Sequence, residues 1–311
     1  MSDVCTYNLQ VVFQHDDDLP VPSDPAVQCN PANQPPQLAE DGLPYFASRW
    51  FYQQVSEEIK SATGIDNISI DWNPCGHPPA DIYTAPHYDV HFYKVSPEYR
   101  RCMTCAKGPR GPSCDPTPGS QTTPSGIAFF DIATVDSTQP SEIQRAATNP
   151  QQPQNTPEGF VVEMTSMIPN MGSHALNPLH FPNSAYEWFD PVWIMSPYNK
   201  TIVTYETMIP MLFFSGNSDT QFHEKLDYVE QTIVDLPSSH SVFYSGGSTN
   251  KQITIALAGT MAECQKKEGE VNNEPATENT TEDLDGYHSS AFSTGATKAS
   301  WLATIAFALF L

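Results

Sequence analysis

Short runs with strand character recur along most of the chain, at residues 6–13, 68–72, 88–95, 126–133, 160–165, 201–206, 211–214, 241–244 and 252–257. Clusters of Pro, Gly, Asn and Ser part them, which is the punctuation of an all-β domain. One stretch breaks the pattern: Phe46, Trp50, Phe51, Val55 and Ile59 recur at helical spacing and Gly64 follows, so residues 46–62 are expected to form a single amphipathic helix. The predicted fold is mainly β, a β-sandwich or barrel with one flanking amphipathic helix.

The pattern also sets the domain plan. Residues 1–264 read as one β-rich domain with a core over about residues 45–260, and the acidic, Pro-rich run 16–44 as an exposed loop. Two segments without a periodic apolar face, 96–125 and 136–157, read as inserted loops. Residues 265–288 are acidic and polar, as in a disordered stalk, and residues 289–311 end in an apolar tail.

With 36 Asp and Glu against 14 Lys and Arg, the net charge of −22 excludes nucleic acid as a main partner, because phosphate binding rests on basic side chains. No Gly-x-Ser-x-Gly elbow, phosphate loop or dinucleotide fingerprint occurs, so serine hydrolase, nucleotide hydrolase and Rossmann readings have no support.

Seven Cys in a chain of 311 residues suit two or three bridges in a secreted domain, with one thiol left over. Asn67, Asn199 and Asn279 each open a glycosylation triplet. Residues 301–311 are too few to span a bilayer but follow small residues and a short spacer, the order of a GPI-attachment signal with Ser289 as the attachment site; the alternative is a hydrophobic tail packed on the domain. The expected setting is extracellular or at the cell surface, with the membrane met only through that C-terminal anchor or tail. The first residues lack the basic and apolar regions of a signal peptide, so either the N-terminal end is missing or the tail is no anchor signal.

The densest chemistry lies in Asp71-Trp-Asn-Pro-Cys-Gly-His77 and Pro86-His-Tyr-Asp-Val-His-Phe-Tyr93. On a strand, His87, Asp89 and His91 share one face. A divalent transition metal is therefore the expected cofactor, zinc first and iron, manganese or copper next. His87 and His91 would stand about 13 Å apart on a straight strand, too far to share one ion, so either the strand bends or one imidazole is a supporting group held by Asp89. The remaining ligands are expected from His174, on a loop after a Pro-Asn turn, and from Glu206. The candidate ligand set is His87, His91, His174 and Glu206, with Asp89 orienting a ligand and His77 at the rim. Cys102-x2-Cys105 with Cys114 has half of a zinc-knuckle spacing and is read as disulfide-forming instead.

Taken with Met171-Gly-Ser-His174 and Tyr205-Glu-Thr-Met-Ile-Pro210, these motifs resemble the core of an uncharacterised bacterial family, a domain of unknown function with a structural representative from Thermus. Its pattern reads Pro-His-Phe-Asp-x-His-Phe-Tyr, Met-Gly-x-His-Trp and Glu-Pro-Met-Ile-Thr. This chain keeps the His, Asp and Glu positions and departs at Ala175, Thr207 and Pro210. The resemblance implies a shared architecture and a homo-oligomer, and it brings no established reaction. Two readings follow: a secreted or surface-anchored metal-binding protein, with a hydrolase or lyase acting on a small molecule as the first enzyme class, or a metal-free structural, adhesion or assembly module.

Overall fold

The computed structural model describes residues 6–77, 83–102, 156–168, 171–180, 184, 187–198, 201–216, 218–228, 236–247, 251–260 and 306–310. Two antiparallel sheets stack face to face as a sandwich, and among the described residues neither closes into a barrel. In chain order the strands are β1 (Thr6–Gln14), β2 (Arg49–Gln54), β3 (Asn67–Asn73), β4 (His87–Tyr93), β5 (Val161–Ile168), β6 (Gly172–Leu176), β7 (Val192–Tyr198), β8 (Thr201–Pro210), β9 (Thr220–Lys225), β10 (Pro237–Ser245), β11 (Gln252–Thr260) and β12 (Ala306–Phe310). The smaller sheet has the order β12-β1-β11-β10-β9, the larger β2-β3-β4-β8-β7-β6-β5.

The core lies between the sheets, because alternate residues of each strand turn inward. Leu9, Val11 and Phe13 of β1 and Ile253, Ile255 and Leu257 of β11 meet Ile70, Trp72, Tyr88, Val90, Phe92 and Tyr205 of the larger sheet. The N-terminal strand is thus integral, and the core begins at its residues rather than near residue 45.

The expected helix over 46–62 is corrected. Its first half is β2, where the aromatic run Trp50-Phe51-Tyr52 pairs with β3, and only Glu57–Thr63 is helical, as α1. Ser56 accepts a hydrogen bond from the Ile59 amide and Gly64 closes the helix at φ 70°, so capping chemistry sets both ends. Residues 211–214 form a helical turn, α2 (Met211–Phe214), instead of a strand. Strands β6, β7, β9 and β12, like β2, lie outside the expected strand runs. The expected strand at 126–133 lies outside the described residues.

Cys29 and Cys75 form a disulfide; Cys5, Cys105, Cys114 and Cys264 lie outside the described residues. Asn67 is fully buried and its amide donates to Asp66 and to the Val95 carbonyl, which removes it as a glycan acceptor in the folded domain. Asn199, Asn279 and Ser289 lie outside the described residues. Within the apolar tail, β12 pairs antiparallel with β1 from Asn8–Phe310 to Val12–Ala306. No described helix is long and apolar enough to cross a membrane.

Candidate metal centre

The outer face of the larger sheet is as dry as its inner one at the centre: every residue of β4 and β7 is buried. Here the alternation turns His87, Asp89 and His91 of β4 away from the hydrophobic core while Tyr88, Val90 and Phe92 enter it. The same alternation operates on β3, whose Ser69, Asp71 and Asn73 lie opposite His91, Asp89 and His87 in turn. On the other side, β8 sets Glu206 directly across from His91. His174 lies on β6, not on a loop.

His77 follows the turn after β3. Gly76 has φ 61°, and a Cβ there would sit 2.0 Å from the Tyr83 carbonyl oxygen, so only glycine lets the chain fold back this tightly. The His77 amide then donates to the Tyr83 carbonyl at 2.9 Å. Trp188 lines the same end of the sheet, 5.0 Å from both the His87 and Tyr83 rings, within a small apolar cluster that includes Leu176, Val192, Ile194 and Met208.

His77, His87 and Asp89 bring three ligand atoms within 4.8 Å of one another, and among the described residues no other three His, Cys, Asp or Glu side chains do so. His87 Nδ1 contacts the Ala85 carbonyl oxygen at 2.7 Å, which requires the proton on Nδ1 and leaves Nε2 facing Asp89 Oδ1 at 3.1 Å. Both facing atoms are buried, and their contact becomes an ion pair only when His87 carries a second proton on Nε2. The other Asp89 oxygen accepts from Asn73 Nδ2 at 2.8 Å and meets His77 Nε2 at 3.1 Å.

The second group on this face is His91, Glu206 and His174. His91 Nδ1 lies 3.2 Å from both Asp71 Oδ2 and Ser69 Oγ, while its Nε2 faces Glu206 Oε1 at 3.6 Å. His174 Nε2 approaches Glu206 Oε2 at 3.8 Å, and both of these atoms are buried without a hydrogen-bond partner.

Protonation follows from burial and neighbours. Burial pushes the Glu206 carboxyl up to about 7 against the pull of His91, with Asp89 adding to the rise. Burial lowers His174 to about 4, and the nearby His91 adds to it. Burial opposes the charged forms of Asp89 and His91 as well, yet His87 and His77 hold Asp89 far below the usual carboxylate range, and Glu206 and Asp71 raise His91.

All six singled-out side chains therefore share one face, with two corrections. His77 and Asp89, expected at the rim and in support, belong to the tightest cluster. The register of β4 with β3 and β8 is continuous from residue 87 to 93, so the strand has no bulge, and the ligand atoms that converge are those of His77, His87 and Asp89 rather than of His87 with His91. Asp71, Ser69 and Asn73 had no assigned role; their polar alternation on β3 was the readable signal. No family model, curated protein or solved structure matches the chain.

Proposed function

We propose that the protein binds a divalent transition metal through His77, His87 and Asp89. The carrying observation is convergence in a dry interior: His87 Nε2 meets one oxygen of the buried Asp89 and His77 Nε2 the other, each at 3.1 Å, so that three ligand atoms lie within 4.8 Å of one another. A cation bound among them would neutralise the buried carboxylate, whose unpaired charge in a dry interior costs several kcal/mol. With ligand bonds of about 2.1 Å, the 3.1 Å between His87 Nε2 and Asp89 Oδ1 corresponds to an angle of about 95° at the metal, an ordinary one for adjacent ligands. Two imidazoles and a carboxylate suit zinc, iron or manganese and leave coordination positions for water or substrate. A metal held this way supplies Lewis-acid chemistry, so a hydrolase or lyase is the reaction class to test first.

The disulfide between Cys29 and Cys75 supports a setting outside the reducing cytosol, as part of the same proposal. The resemblance to the uncharacterised bacterial family belongs to it too, since the shared motifs fall on β3 with its following turn, β4, β6 and β8. A second reading, a metal-free module held by a His–Asp–His network, is favoured by the His77–Asp89 contact, which a proton alone can satisfy.

Zinc titration of the purified full chain against a competing chelator separates the two. Stoichiometric zinc that His87→Ala weakens about 100-fold or more supports the metal reading; a chain without tight zinc leaves the metal-free module. Loss of turnover on chelation with folding intact would mark the ion as catalytic.

A further inference from the structure

The first cluster does not account for the rest of the outer face. His91 stands four residues from His87 on an unbroken strand, about 13 Å away between Cα atoms, beyond the span of one ion with ligand bonds near 2.1 Å. Its ring stacks on Tyr93, the next residue on that face away from the first cluster. Asp71 and Ser69 both hold its Nδ1 at 3.2 Å, the way carboxylate-oriented metal-binding histidines are held, and turn Nε2 toward Glu206.

Glu206 is only 2 % exposed, and its Oε2 and the His174 Nε2 facing it are buried without hydrogen bonds. Beside them, Ser196 and Thr204 pair across β7 and β8, and both hydroxyls are buried and unpartnered. So many unsatisfied polar atoms in one dry region are rare in folded proteins and call for an occupant. The apolar core offers no partner, because Thr204 and Glu206 share the outer face of β8.

We propose that His91, His174 and Glu206 bind a second divalent transition metal, with Asp71 positioning His91 and the Ser196 and Thr204 hydroxyls placed to hold water bound to that ion. The face then carries a tight set, His77, His87 and Asp89, and a wider one, His91, His174 and Glu206, close enough to influence one another's charge. This inference rests on the metal reading of the first cluster for its chemistry and differs from it in stoichiometry.

Native mass spectrometry with zinc titration of the full chain tests it. The expected result is two zinc ions per chain, falling to one in His174→Ala, one in Glu206→Gln and one in His87→Ala, with circular dichroism confirming that each variant is folded. Asp71→Asn should weaken only the second event, by about 10- to 100-fold, as loss of a ligand-orienting carboxylate does elsewhere. One ion in the parent chain that His174→Ala leaves untouched overturns the second site and keeps the first. One ion abolished by both His87→Ala and His174→Ala means a single shared centre and also overturns the inference. No zinc at all removes both proposals.

Discussion

Burial sets the protonation of two histidines that lie outside the candidate metal centre. His240 is fully buried, stacked 4.7 Å from Trp193 and bonded to Thr207, and burial lowers it from 6.5 to about 3. His15, among Tyr88, Phe214 and Tyr244, is likewise lowered by burial to about 4. The unfolded chain takes up these protons near pH 6.5 and the folded chain does not, so their contribution to stability is complete above 6.5 and is lost as the pH falls. Glu224, raised to about 7 by burial, runs in the opposite sense, so the effect is read as a difference between proteins. His240→Phe keeps a ring against Trp193 and removes one titration. Below pH 6 its unfolding free energy should fall less steeply than the parent's, by up to about 1.4 kcal/mol per pH unit. Parallel denaturant curves at pH 7 and pH 5 would refute this assignment of His240. At this scale the metal candidates were legible, since strand alternation alone puts His87, Asp89 and His91 together. Their partners were not, because Glu206 reaches His91 only through the pairing of β4 with β8.

Elements carry the site through turns and register. The turn after β3 depends on Gly76, whose positive φ and contact with the Tyr83 carbonyl leave no room for a side chain. Gly76→Ala should open the turn, displace His77 and weaken the first zinc-binding event about 10-fold or more while β3 and β4 keep their pairing; unchanged zinc affinity would refute the role given to the turn. Helix α1 illustrates how local signals compete. The apolar spacing from Phe46 to Ile59 fits a helix, but aromatic residues over β2 favour a strand, and Ser56 offers a cap that starts the helix later. Ser56→Ala should cost about 1 kcal/mol in chemical denaturation, the usual worth of an N-cap. β7 escaped notice because it is buried on both faces, and its continuous apolar run lacks the alternation that marks a half-exposed strand.

Across the whole molecule, the bond from Cys29 to Cys75 ties the long N-terminal loop to the turn that carries His77. Closing a loop over a separation of 46 residues restricts the unfolded chain by about 4 kcal/mol in the chain-entropy treatment. Replacing both cysteines with serine should lower the unfolding free energy by an amount of that order and weaken zinc binding at the first cluster more than at the second. Equal weakening of both events would contradict the separation of the two sets. By itself the sequence determined the class of fold, the strand that bears the imidazoles and the residue types capable of holding a metal, because strand period, turn chemistry and ligand chemistry are local properties. Tertiary structure alone decided which strands are neighbours, that β4 keeps an unbroken register, and that His77 folds back onto Asp89 while His174 and Glu206 meet His91's end of the face. Those outcomes depend on sheet order and register, which arise from packing between residues distant in the chain, and no window of sequence contains them.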